Sequence, residues 1–237
     1  MTAPHAGTHE GDDPSVAALR AVLFDMDGLL VDTEPQWFAA ETATSDWLGY
    51  PWTPADQHAL LGSNLPFAAD YMLRVSGSSR SREEVVDRLR DEMTAQLQRG
   101  GVTIHDGAPE LLRQLREVGL PVGLVTSSVR VHVEPVLAQL PPDVFATVVT
   151  ADDVVHKKPD PEPYLLALRR LDVPGHATVA LEDSPPGVAA AEAAGCTVVA
   201  VPSVVDIPAA ANRLVVRSLS ELDLPTLQRL VAPQPTC

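Results

Sequence analysis

Short runs of apolar and β-branched residues recur along the chain: AVLFD ending at Asp25, PVGLVT ending at Thr126, VFATVVT ending at Thr150, TVALED ending at Asp183 and TVVAVP near Val201. They are continuous rather than alternating, as expected of strands covered on both faces. Helical patterns lie between the later runs. Ala108 to Val118 places leucines at helical spacing and stops at Gly119. Asp160-Pro161 supplies a helix start running to about Leu171, and Ser184-Pro185 opens another that reaches Gly195. Strand alternating with helix at this rhythm predicts βαβ units and a parallel sheet. Arg213 to Ser218 reads as an edge strand, followed by a helix around Leu222 to Val231.

The first interval differs. Between Asp32 and Gly101 there is no strand-like run, only helical signals: Pro35 to Leu48, Thr53-Pro54 opening a segment to Leu61, Leu65 to Val75, and a capping box at Ser81 and Glu84 opening a helix to about Arg99. That is too much chain for one crossover. Residues 34–102 are therefore expected to form a helical cap inserted after the first strand, with residues 18–33 and 103–237 as the core. Residues 1–17 are polar, rich in Gly, Pro and His and without a hydrophobic period, and are expected to be a disordered tail. Open α/β sheets bind ligands at the carboxyl ends of their strands, so the insertion is expected to sit over the active site.

Composition narrows the function. The chain has 237 residues, 45% hydrophobic and 21% charged, which fits a folded protein of one large or two unequal domains. Its formal charge of −15 is the wrong sign for a nucleic-acid binder. No run reaches the roughly 18 apolar residues of a membrane span, and the first residues lack the order of a signal peptide. Cys196 and Cys237 make neither a disulfide framework nor a CxxC site. The expectation is a cytoplasmic protein with no nucleic-acid or membrane partner; the pattern is silent on oligomeric state. Of 17 cations only two are lysines, Lys157 and Lys158, and no glycine-rich phosphate loop precedes them.

The most informative stretch is DMDGLLVDTE, from Asp25 to Glu34, directly after the first strand. Two carboxylates two residues apart at a strand end can converge on one cation while Gly28 lets the chain turn away. By itself an Asp-x-Asp is weak evidence, and a solvated acidic turn is its alternative. Other strand ends carry Thr126-Ser127-Ser128 and Glu182-Asp183-Ser184, and Lys157-Lys158-Pro159 lies in a following loop. Together these supply four acids, hydroxyl donors and a compact cation, the inventory for holding a phosphoryl group against a divalent metal.

In this order the motifs resemble the haloacid dehalogenase-like hydrolase superfamily, in its phosphatase and β-phosphoglucomutase-like branch, over about residues 20–202. The resemblance implies a Rossmann-like α/β core with an inserted α-helical cap. It implies that Asp25 is the nucleophile and forms an aspartyl-phosphate, that Asp27 is the general acid/base, and that Thr126, with Ser127 beside it, and Lys158 bind the phosphoryl group. Mg²⁺ would be held by Asp25, the backbone carbonyl of Asp27 and Asp183, with Glu182, of the same acidic motif, coordinating directly or through water. Asp27 separates the chain from the dehalogenases, which do not keep that aspartate, and residues 34–102 contain no lysine for a Schiff base. Trp37 stands where the β-phosphoglucomutases have a histidine, and Leu65 near their cap arginine. The expected function is a Mg²⁺-dependent phosphatase of a small phosphorylated metabolite such as a sugar phosphate. The alternatives are a phosphosugar mutase and a non-catalytic phospho-acceptor module. The family's substrate-contacting cap loop would fall at Gly62-Ser63-Asn64. The seven histidines, without mutual ligand spacing, are read as structural, and Trp37, Trp47 and Trp52 as cap core.

Overall fold

The structure is a computed structural model and describes residues 18–60, 63–203 and 205–232. The expected tail, Gly62 and Cys237 lie outside the described residues. The core is a six-stranded sheet built from β1 (Ala21–Phe24), β4 (Val122–Val125), β5 (Thr147–Val149), β6 (Thr178–Glu182), β7 (Thr197–Ala200) and β8 (Arg213–Val215). All neighbours pair in parallel, in the order β5-β4-β1-β6-β7-β8, so the first strand is central. Its four residues are wholly buried.

Alternate side chains of these strands enter two apolar layers. Val22, Phe24, Leu124 and Leu181 pack with α5 (Ala108–Glu117), α6 (Arg130–Leu137) and α9 (Leu224–Val231) through Leu111, Leu115, Val133, Val136 and Leu227. Leu23, Val125, Ala180 and Val198 pack with α7 (Glu162–Leu171) and α8 (Pro185–Ala193) through Tyr164, Ala167, Val188 and Ala191. Cover on both faces is why the strands carry no polar alternation. Burying each Leu, Phe or Val stabilises the fold by about 1.5–3 kcal/mol against chain entropy, so the sheet edge is held rigidly where the motifs emerge.

The insertion is helical as expected: α1 (Glu34–Leu48), α2 (Pro54–Leu60), α3 (Leu65–Ser76) and α4 (Arg82–Gly100). The capping box forms, with Ser81 Oγ accepting from Glu84 N at 3.2 Å and Ser81 N donating to Glu84 Oε2 at 2.8 Å. The cap has its own small core of Leu60, Ala69, Met72, Val85 and Leu89, against which Trp47 and Trp52 pack. Trp37 departs from the cap-core reading: it packs on the main core, edge-on to His132 of α6 at 6.1 Å. Met93 and Leu97, farther along α4, also join the main core, so one helix anchors the cap to the sheet layer.

Two elements carry no sequence signal. The chain enters and leaves the cap through a two-residue antiparallel ribbon, β2 (Val31–Asp32) with β3 (Thr103–Ile104), pairing Val31 with Ile104 and Asp32 with Thr103. Helix α6 contains Pro135, and its RVHVEPVL pattern lacks a start signal; it is held by burial of His132, Val133 and Val136. No described helix is long and apolar enough to cross a membrane.

Candidate active site

Three of the motifs leave the carboxyl edge of the sheet directly from buried strands. Asp25 directly follows β1, its N–H donating to Leu181 O at 3.0 Å, so the ladder continues up to the carboxylate. Thr126 follows β4 and donates its N–H to Val149 O at 2.9 Å. Glu182 ends β6 and Asp183 follows. Asp25, Thr126, Glu182 and Asp183 are all buried. Carboxylate oxygens of Asp25, Glu182 and Asp183 lie within 4.8 Å of one another.

Lys158 enters this acidic group from the loop before α7, with its side chain 5% exposed. Its Nζ donates to Asp25 Oδ1 at 2.5 Å, Glu182 Oε1 at 2.6 Å and Val125 O at 2.8 Å, which uses all three ammonium protons. Burial opposes the charge on Lys158, but Asp25 and Glu182 outweigh it and raise its pKa above the ordinary lysine value. Burial pushes the Asp25 carboxyl well above the usual range, opposed by Lys158 and reinforced by Glu182 and Asp183. Asp183 is pushed up to about 6, first by burial, while the Ser203 hydroxyl, donating to its Oδ2 at 2.6 Å, pulls the other way. Lys157 is exposed.

Asp27 is held apart from this ion-pair group by neutral hydroxyls. Thr33 Oγ1 donates to Oδ1 at 2.9 Å, and Ser128 Oγ donates to Oδ2 at 2.7 Å, with Thr126 Oγ1 at 3.4 Å from the same oxygen. Thr33 stands at the N-cap of α1 yet makes no capping hydrogen bond; its hydroxyl is spent on Asp27 instead. Ser127 is exposed, and Ser128, one position on, is the serine that reaches Asp27. The Thr-Ser-Ser triplet marks the segment but carries no signal for which hydroxyl turns inward.

Two further side chains complete the site without a motif to announce them. Tyr164 is completely buried on α7, and its hydroxyl donates to Glu182 Oε1, the oxygen that also accepts from Lys158. Ser203 follows β7 and fixes Asp183. The backbone is cut to fit: Gly28 has φ +82°, and a Cβ there would stand 2.2 Å from Asp183 Oδ2. Gly187, in the first turn of α8, lies so close to Glu182 that a Cβ would come 1.9 Å from its Oε2.

The donor set fits a hard divalent cation. Three buried carboxylates within 4.8 Å face one lysine, and at an effective dielectric near 20 each like-charged pair repels by about 4 kcal/mol at 4 Å. Oxygen-only donors suit such a cation rather than a thiophilic metal.

The fold that carries these groups is matched among known proteins. Residues 22–201 match the model of the haloacid dehalogenase-like hydrolase family. The chain belongs to this family. Within it, the chain lies in the phosphatase and β-phosphoglucomutase-like branch. It is 32% identical over 213 residues to validoxylamine A 7′-phosphate phosphatase of Streptomyces hygroscopicus subsp. limoneus, covering 87% of this chain and 97% of the relative. It is 34% identical over 194 residues to hexitol phosphatase A of Escherichia coli, covering 80% and 86% of the two chains. The crystal structure of CbbY from Rhodobacter sphaeroides in complex with phosphate superposes with a TM-score of 0.77 at 28% identity, covering 88% of this chain and 99% of that one. The chain is thus matched to this family in sequence and in fold.

Proposed function

We propose that this hydrolase cleaves phosphomonoesters of a small polyhydroxylated metabolite, a sugar or sugar-alcohol phosphate, through an aspartyl-phosphate on Asp25. One observation carries the reading: two aspartates a dipeptide apart are held by opposite kinds of partner. Asp25 is paired with a lysine ammonium, and Asp27 is held by the hydroxyls of Thr33 and Ser128. The lysine opposes the burial that raises the Asp25 carboxyl and so favours the ionised nucleophile, whereas neutral hydroxyl partners suit a group that gives and takes a proton.

In this reading Asp25 attacks phosphorus and the P–O bond to the alcohol breaks. Asp27 gives its proton to the departing alkoxide, then removes one from the water that hydrolyses the aspartyl-phosphate. Lys158 neutralises the Asp25 nucleophile by direct contact and a phosphoryl oxygen through its field rather than a fourth hydrogen bond, a point-charge role that a planar guanidinium would not reproduce. Thr126 and Ser127 lie at the strand end where that group would rest. Mg²⁺ would be held by Asp25, Asp183 and the backbone carbonyl of Asp27, with Glu182 as counter-ion of Lys158. When bound, it offsets the negative charge that otherwise repels a phosphate dianion. The substrate class is supported by the names of the relatives, which include phosphatases of hexitols and of N-acetylmuramic acid 6-phosphate.

The test is release of inorganic phosphate from a panel of sugar and small organic phosphates with Mg²⁺, for the wild type and for Asp25→Asn. Turnover should need both the metal and Asp25. Substantial activity in Asp25→Asn, or undiminished wild-type activity in excess chelator, would overturn the reading.

A further inference from the structure

We propose that Tyr164 is a positioning residue of the phosphoryl-transfer site: its hydroxyl fixes Glu182 so that Lys158 keeps its charge on Asp25. The proposal rests on the roles given above to Asp25 and Lys158, and it assigns work to a residue outside the motifs.

Tyr164 lies six residues after Lys158, in the first turn of α7, and is completely buried. A tyrosine in an apolar layer must find a partner for its hydroxyl or lose the hydrogen bond it made in water. Its neighbours in that layer are Leu23, Val125, Ala167 and Ala180, and the partner it finds is Glu182. Both donors on Glu182 Oε1 are now accounted for: the phenol of Tyr164 and the ammonium of Lys158 at 2.6 Å. The same ring lies beneath the ammonium, with Nζ 5.1 Å from its centroid, within reach of a cation–π attraction. Tyr164 thus touches both members of the Lys158–Glu182 pair.

The other side of Glu182 is nearly closed. Its Oε2 has Ser184 Oγ at 3.4 Å, and the absent side chain of Gly187 leaves the carboxylate just enough room. With three ammonium protons committed to three acceptors, any rotation of Glu182 forces Lys158 to reapportion them between Asp25 and Val125 O. Removing the phenol hydroxyl frees Oε1 to rotate toward Asp25 and Asp183, its neighbours in the acidic group. A rigid Glu182 therefore keeps the ammonium in place and keeps a third carboxylate from turning on the other two.

The chain's two lysines make the test direct, because selective ¹³C,¹⁵N-lysine labelling gives two side-chain signals, one from exposed Lys157 and one from buried Lys158. In substrate-free and metal-free protein, Tyr164→Phe keeps the ring and should shift the Lys158 signal while that of Lys157 stays. Glu182→Gln, made separately, should also shift it. On a phosphomonoester that the wild type hydrolyses, Tyr164→Phe should lower kcat about tenfold with KM within twofold. In the Glu182→Gln background the same change should alter kcat by less than twofold, since the phenol acts through that carboxylate. An unmoved Lys158 signal in either variant, or an equal fold-loss in both backgrounds, overturns the proposal. A wild type inactive on every phosphomonoester would instead count against the proposed reaction and leave the signal test standing on its own.

Discussion

Asp183 occupies the space that a side chain at position 28 would need. Gly28 turns the chain at φ +82° with the Asp183 carboxylate 2.2 Å from where its Cβ would be, and Ser203 holds that carboxylate at 2.6 Å. The turn after the first strand and the acid after the sixth are therefore one fitted unit.

Gly28→Ala should strain the backbone and displace Asp183 together. An L-residue at positive φ costs about 1–2 kcal/mol, which for a chain of this size lowers the melting midpoint by roughly 2–8 °C. Moving Asp183 should raise the Mg²⁺ concentration needed for half-maximal activity at least tenfold. A variant with an unchanged metal requirement would show that Asp183 does not hold the metal.

The adjacent lysines should separate cleanly. Lys158 is buried in contact with Asp25 and Glu182, whereas Lys157 is exposed. Lys158→Ala should abolish turnover and, by leaving two buried carboxylates without their cation, destabilise the fold by about 3–5 kcal/mol. Lys157→Ala should stay within twofold of wild type in both. Kinetics and thermal melts of the two variants decide it, and loss of turnover in Lys157→Ala alone would refute the assignment.

Glu41 gives the cap a pH dependence of its own. It is buried on α1 with Oε2 lacking a partner, and burial, opposed by the Trp52 indole and reinforced by Glu34, pushes its carboxyl up to about 7. The folded state then holds this proton to higher pH than the unfolded state. Between about 4.5 and 7 the folded protein binds more protons, so Glu41's contribution to stability declines as pH rises and levels off above 7. The decline amounts to about 3 kcal/mol. Glu41→Gln should melt above wild type at pH 8, with the gap closing toward pH 5. A gap that does not change with pH would argue against a titrating Glu41.

Water, rather than a second sugar hydroxyl, should be the acceptor of the phosphoryl group. Trp37 is packed edge-on against His132, and Leu65 begins α3 beside the cap core, so neither position supplies an imidazole or a guanidinium to a retained sugar intermediate. Given β-glucose 1-phosphate, with or without a bisphosphate activator, the enzyme should release inorganic phosphate if it accepts that sugar. Catalytic accumulation of glucose 6-phosphate with little free phosphate would restore the mutase.

The elements that position the site were readable because their signals are local. Continuous apolar runs mark β1, β4, β5, β6 and β7, and Ser81, Ser184 and the Asp160-Pro161 pair mark helix starts within a residue or two. Helix α6 escaped because Pro135 sits inside it and its stability comes from tertiary burial, and the β2–β3 ribbon because two-residue strands have no period. At the site, charge and spacing pointed to Asp25, Asp27, Glu182, Asp183 and the Lys157-Lys158 pair, and the resemblance chose Lys158; the structure gathers Lys158 with the acids at one edge. Ser128 could not be told from Ser127 without knowing which way the turn faces. Tyr164 was indistinguishable from any apolar-face aromatic, since its one polar atom meets Glu182 only when α7 docks on the sheet.

The ribbon at the neck of the cap has one more implication. Because the chain departs at Val31 and Asp32 and returns directly alongside at Ile104 and Thr103, some seventy residues are added without altering a single partner in the six-stranded ladder. Natural variation can lengthen, shorten or exchange that module while the chemistry beneath is inherited unchanged, so substrate choice in such a protein can drift faster than mechanism.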